Sequence, residues 1–284
     1  MLKNTFKTAI LLAGLGALFM VVGAAIGGST GLAIGLVLGL ALCGGSYWFS
    51  DKLAIAASRA KPVTAEEAPQ LHEMVRDLAD RAGLPMPRVY MSPEQQPNAF
   101  ATGRNPRHAA VCVTEGITQV LTPSELKGVL AHELSHVRHR DILIGSVAAA
   151  VAMAITFVAR IAFWGAMFGG NDDEDNNVVG ALLMMVLAPV AATLVQLAIS
   201  RSREFEADRG GAELLGDGEP LASALQKIDA YAQRIPMHVN PAQENAFIIS
   251  PFAGRKTGFA NLFRTHPPTA DRVARLRAMH GVQR

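Results

Sequence analysis

No charged residue occurs between Lys7 and Asp51. That stretch is too long for one membrane span of about 20 residues, and the GGSTG cluster at Gly27 to Gly31 divides it into two, at about 8–27 and 31–50. A cleaved signal peptide is the competing reading, since Lys3 and Lys7 precede the run. The run is long for such a leader, and a second apolar stretch follows at once, which favours two spans. Two more apolar runs, about 142–168 and 178–199, flank the acidic loop NDDEDNN. Each exceeds 20 residues, so spans are preferred over buried soluble helices. Arg160 inside the third run needs protein contact or an interface to sit at, and Pro189 introduces a kink into the fourth.

The remaining sequence is a polar domain split by the second hairpin into residues 51–141 and 200–284. A helix is expected around Ala65 to Ala82, with Thr64 and Glu67 as a capping box. Two strands follow, RVYMS at Arg88 to Ser92 and AAVCVTEGI at Ala109 to Ile117, with the hairpin-like NAFATG at Asn98 to Gly103 between them. TPSEL at Thr122 to Leu126 opens a further helix through Thr122, Pro123 and Glu125. Helices near 220–233 and 268–279 enclose a loop-rich 236–258. The fold class is therefore α+β: four transmembrane helices in two hairpins, and a mainly helical domain with a small β-sheet.

Composition supports that division. Half of the 284 residues are hydrophobic, 18% are charged and mean hydropathy is +0.24, which describes a membrane protein with one modest soluble domain. The net charge of +2 and the lack of a basic run argue against nucleic acid as a partner. With four spans, Lys3, Lys7, Lys52, Arg59, Lys61, Arg138, Arg140, Arg201 and Arg203 share one side, and the positive-inside rule makes it cytoplasmic. Cys43 falls in an expected span and Cys112 in an expected strand, so no disulfide is anticipated.

The chemistry is carried by HELSH, His132 to His136. On a helix the two imidazoles lie on one face about 6 Å apart along the axis, within reach of one zinc ion. Glu133 between them can act as general base on the attacking water. The pattern arises by accident only about 0.01 times in a chain of this length and composition. Catalytic zinc sites take three protein ligands. His139 lies about 10 Å beyond His132 along an unbroken helix and is read as a solvent- or headgroup-facing residue. Glu204 in SRSREFEAD is the better third ligand, because Glu204 and Asp208, spaced i, i+4, share a face from which Glu206 is turned away. One carboxylate can bind the ion while the other orients a ligating histidine.

HELSH, two apolar spans, SRSREFEAD and THPP at Thr265 to Pro268, in this order, resemble the HtpX-type membrane zinc endopeptidases, gluzincins related to the CAAX prenyl endopeptidases. The resemblance implies a zincin domain with one catalytic Zn²⁺ held by His132, His136 and Glu204, Asp208 behind the ligands, and Glu133 as catalytic base. It implies that His266 stabilises the oxyanion and that Asn98 and Ala99 hold the substrate backbone on an edge strand. It further implies polypeptide substrates, membrane proteins among them, hydrolysed at the cytoplasmic face of a bacterial plasma membrane in stress-related quality control. A processing protease for prenylated or lipidated peptides and a non-proteolytic metal-binding membrane scaffold are the alternatives. Besides the lipid bilayer and its substrates no partner is indicated, and an oligomer stays open.

Overall fold

A computed structural model describes residues 2–142, 201–234 and 267–279. The expected spans at 142–168 and 178–199, and the loop at 236–258, lie almost wholly outside the described residues. The first element, α1 (Leu2–Ala57), is a helical run that reverses at Gly28, whose φ of +58° is the left-handed conformation that glycine adopts without penalty. Its two arms then lie antiparallel. Gly23 faces the Gly31 carbonyl, Gly35 faces Phe19, and a Cβ on Gly39 would stand 3.3 Å from the Phe19 Cβ. Among the described residues no single helix is long and apolar enough to cross a membrane. One bent pair, Gly28–Leu42 with Tyr47–Ala57 at 65°, passes that test by length and composition.

Beyond α1 the chain builds a four-stranded mixed sheet: β1 (Lys61–Pro62), β2 (Arg88–Ser92), β3 (Ala99–Thr102) and β4 (Ala110–Thr114). The order is β1-β2-β4-β3, with β2 and β4 parallel and the other pairs antiparallel. This leaves β3 at an edge. β4 is buried along its whole length, which accounts for its unbroken AVCVT composition.

Five helices accompany the sheet: α2 (Pro69–Ala82), the short α3 (Glu115–Val120), α4 (Pro123–His139), α5 (Arg201–Leu215) and α6 (Glu219–Arg234), and the last segment adds α7 (Thr269–Ala278). Helix α4 starts on a complete capping box, Thr122 accepting from the Glu125 N–H and Glu125 from the Thr122 N–H. It is the central element, packed against α2, α5, α6 and β3. Val129, Leu130, Leu134 and Val137 are fully enclosed, each such side chain contributing roughly 1.5–3 kcal/mol of hydrophobic stabilisation.

Two boundaries differ from the sequence expectation. The capping box at Thr64 and Glu67 forms, with Thr64 N–H to Glu67 Oε2 at 2.8 Å, but it closes a separate turn and the helix begins at Pro69. Proline lacks the N–H that would continue the hydrogen-bond ladder from that turn, so it starts a helix afresh. The second strand ends at Thr114 instead of Ile117, because the Thr114 hydroxyl accepts from the Ile117 N–H and caps α3.

Helices α4 and α5 cross at glycine. A Cβ on Gly211 would lie 2.9 Å from the His132 nitrogen and 3.1 Å from its Cα, and one on Gly210 would overlap the Ser135 hydroxyl. The crossing sets the depth at which α5 presents its carboxylates to α4. Gly211→Val is expected to force the helices apart, to destabilise the fold by about 1–3 kcal/mol, and to lower the amount of metal the protein retains. Denaturation midpoints alongside metal content measure both; an unchanged midpoint with full metal content would show that the crossing tolerates a side chain.

Candidate functional site

The α4–α5 crossing brings His132, His136 and Glu204 together, with one ligand atom from each within 4.8 Å of the others. The two Nε2 atoms stand 3.1 Å apart, and the Glu204 carboxylate oxygens lie 3.8 Å from His132 Nε2 and 3.7 Å from His136 Nε2. Atoms bound tetrahedrally at about 2.0–2.1 Å are separated by roughly 3.3 Å, so the triangle has the size of one ion's coordination shell.

The opposite ring nitrogens show why both Nε2 atoms are available. His136 Nδ1 lies 3.0 Å from Asp141 Oδ2 and His132 Nδ1 lies 3.0 Å from Asp208 Oδ1. Carboxylates at both Nδ1 positions favour the Nδ1–H tautomers and turn two bare Nε2 lone pairs toward a single point. The rings meet edge to face, with centroids 4.7 Å apart. Two converging lone pairs repel unless a proton or a cation lies between them, and the donor set of two imidazoles and a carboxylate fits a metal ion.

The electrostatics agree. Burial opposes charge on His136, yet Asp141, Glu204 and Glu133 together raise its imidazole to about 10, so this point favours positive charge. Burial also pushes the Asp208 carboxyl up, but Arg272 and His132 hold it well below the ordinary range. Arg272 is 1% exposed and clamps Asp208 with two charge-assisted bonds, Nε to Oδ2 at 2.8 Å and Nη2 to Oδ1 at 2.6 Å. Arg203, also buried, lies in the field of Asp141 and Glu204, although burial dominates and lowers its pKa. Asp141, Glu204 and Asp208 crowd carboxylates around the two imidazoles, with Arg203 and Arg272 as the buried guanidiniums beside them, a field that suits a cation between the rings.

Glu133 is buried beside the cluster, and its Oε2 accepts the Ala101 N–H at 2.8 Å. Burial raises its pKa, against the pull of His132, His136 and the Ala101 N–H. A carboxyl lifted toward neutrality and aimed at the cluster is suited to carrying a proton. The Ala101 contact follows from the register of β3. Thr114 N–H donates to the Asn98 carbonyl at 2.9 Å, so Asn98 is a hydrogen-bonded pair with β4, and alternation along the ladder turns the N–H and C=O of Ala99 and Ala101 outward. Asn98 thus spends its backbone on the sheet, and Ala99 is 1% exposed, which leaves Ala101 as the more open part of this edge.

His139 is exposed, turned to the Ser135 hydroxyl at 3.2 Å, and outside the cluster. Glu206 is exposed as well. His266 lies outside the described residues. Sequence reasoning missed Asp141, Arg203 and Arg272. Asp141 reaches His136 only because Arg140 takes φ +57° and folds the chain back at the end of α4; an acidic residue just past the helix was its one available signal. Arg272 follows the THPP segment by four residues on α7.

A small mixed sheet under a helix that bears two histidines and a glutamate, completed by a carboxylate from a second helix, defines a metallopeptidase. Residues 65–280 match peptidase family M48, and the chain belongs to that family. It is 53% identical over 280 residues to a "Protease HtpX homolog" of Pelotomaculum thermopropionicum, covering 97% of this chain and 99% of the relative. It is 50% identical over 282 residues to another of that name from Syntrophobacter fumaroxidans, covering 97% and 99%. The crystal structure of S. mikatae Ste24p is similar in fold, with a TM-score of 0.52 at 18% identity over 97% of this chain and 66% of that one. The protein is thus a metalloprotease with the M48 fold.

Removing Arg272 strands the Asp208 charge in the interior. Arg272→Met is expected to destabilise the protein by about 3–5 kcal/mol and to weaken metal retention, whereas Arg272→Met with Asp208→Leu recovers much of the stability but not the metal. Chemical denaturation and metal content of the purified variants test this; equal stability of the wild type and Arg272→Met would show that the pair is not what holds Asp208 in place.

Proposed function

We propose that this chain is an integral-membrane, zinc-dependent endopeptidase that cleaves membrane or misfolded proteins at the cytoplasmic face of a bacterial inner membrane, as part of protein quality control. The observation that carries the reading is the pair of imidazole Nε2 atoms facing Glu204, each ring backed by a buried carboxylate. His132, His136 and Glu204 are the ligands, with Asp208 and Asp141 orienting the rings. A zinc ion held there supplies a Lewis acid that polarises the scissile carbonyl and acidifies water. Glu133 takes the proton of the attacking water and passes it to the leaving amine, its carboxylate steered by the Ala101 N–H. His266 is the proposed oxyanion stabiliser.

The substrate is proposed to add as an extended strand along the outer edge of β3, with Asn98 and Ala99 at one end and Ala101 beside the base. Four spans, the α1 arms and two within 142–199, divide the protease domain into residues 51–141 and 200–284, with both termini cytoplasmic. Support for a site close to the bilayer comes from α1: Trp48 lies under Arg104 at 4.9 Å, and Arg104 follows Ala101 by three residues, at most about 10 Å of extended chain. The bacterial setting is supported by the organisms of the relatives.

Glu133→Gln is expected to retain zinc and lose at least about 100-fold in cleavage, the range a positioned general base contributes. Glu204→Ala should lose metal, and His139→Ala should keep both metal and activity. Casein hydrolysis and metal content decide; an active Glu133→Gln would overturn the mechanism, and metal loss in His139→Ala alone would move the third ligand.

Proline at Ala99 removes an outward N–H while sparing the ladder to β4. Ala99→Pro is therefore expected to fold and bind zinc but to lose most peptide cleavage, with Asn98→Ala losing less. Wild-type turnover in Ala99→Pro, with proteolysis resistance intact, would place the substrate elsewhere.

A further inference from the structure

The last turns of α1 run along β2, from Asp51 beside Arg88 at its start to the Ser58 carbonyl just past the helix, which accepts from the Ser92 hydroxyl at its end at 2.6 Å. Asp51 pairs with Arg88 at 2.6 Å, and Trp48 packs under Arg104 just beyond β3. Between α1 and β2 lies a cavity of about 290 Å³ lined by Asp51, Lys52, Ile55, Ala56, Ala60, Arg88 and Tyr90. Its wall is apolar through Ile55, Ala56 and Ala60, and its rim carries two cations. Arg88 is matched by Asp51. Lys52 has no carboxylate partner among the described residues; its Nζ rests 5.4 Å from the centre of the Phe49 ring.

The position of this cavity along the chain gives it meaning. Along the chain it follows the exposed apolar residues Leu32, Ile34, Val37, Leu38 and Leu40 of α1 and then Trp48, 57% exposed, and Phe49. Exposed aromatic rings followed by a lysine at the end of an apolar helix are the arrangement of a membrane–water interface. There a lysine with no internal partner meets lipid phosphates. An apolar wall below a cationic rim complements a molecule whose charged phosphate continues into glycerol and acyl chains.

We propose that this cavity is a binding site for the headgroup of an anionic phospholipid, with Lys52 contacting the phosphate, Arg88, held by Asp51, and Tyr90 at the rim, and Ile55, Ala56 and Ala60 against the glycerol and upper acyl chain. The proposal rests on the membrane reading above. A lipid seated there bears on α1 and β2 at once, and so fixes how the sheet end, and with it the β3 edge, lies over the bilayer.

The test uses the full-length protein in nanodiscs containing equal amounts of phosphatidylglycerol and phosphatidylcholine, with native mass spectrometry counting the lipids retained on release. Wild type should retain phosphatidylglycerol over phosphatidylcholine by about fivefold, the ratio expected of one basic residue near a lipid phosphate. Lys52→Glu should erase that preference and Lys52→Arg keep it, while Arg76→Glu, the same charge change on α2, leaves it intact and proteolysis in detergent is the same in all four. A preference that survives in Lys52→Glu, or that Arg76→Glu erases equally, overturns the site. Competition by excess glycerol phosphate would assign the cavity to a soluble phosphate ester and overturn the lipid. A protein that does not float with vesicles would overturn the membrane reading itself, whereas one that floats but retains both lipids equally overturns only this proposal.

Discussion

Two imidazole lone pairs directed at the same point repel each other, and the interior of this protein is organised around holding them there. Nothing in the helix requires it: His132 and His136 could rotate toward solvent or toward a backbone carbonyl. They are held because each Nδ1 has its own carboxylate, Asp208 or Asp141, in a region where a carboxylate could not remain charged without a cation. Arg272 supplies that cation for Asp208, which is why an arginine can be 1% exposed in a domain of this size. A positive charge between the rings removes the repulsion of their lone pairs, so the fold favours one there.

The same constraint explains the helix crossing. Carboxylate oxygens 3.7–3.8 Å from the two Nε2 atoms require α5 to approach α4 with no side chains intervening, and Gly210 and Gly211 satisfy that. The glycines have an energetic liability within a helix, about 1 kcal/mol each relative to alanine. They are retained where backbone must touch backbone. Burial of Val129, Leu130, Leu134 and Val137 on the remaining faces of α4 fixes the helix that carries His132 and His136, so the core and the candidate site share one element.

What could be read in advance follows from how local each signal is. The spacing of His132, Glu133 and His136, and of Glu204 and Asp208, is fixed by one or two helical turns, so their faces were legible from the sequence. The strand RVYMS and the capping box at Thr122 were legible for the same reason. Asp141 was not, because its role depends on Arg140 adopting a left-handed conformation that arginine rarely takes and that no residue pattern announces. Nor was Arg272, which meets Asp208 from 64 positions away. At Thr114 a β-branched residue that suits a strand equally suits a helix cap, and the cap prevailed.

The sheet contributes a geometric link between its open edge and Glu133. Because β3 is an edge strand, alternate N–H groups point away from β4, and the one at Ala101 is directed to Glu133. Glu133 therefore senses the register of that edge through a hydrogen bond 2.8 Å long. A peptide added along β3, as proposed, would meet the outward groups on either side of that bond, with the Glu133 carboxylate held at the same strand. The edge strand and Glu133 are joined in this way, and Glu133 lies between the two histidines on α4. A shift of one residue in the pairing of β3 with β4 would turn the Ala101 N–H inward and release Glu133, without moving either histidine.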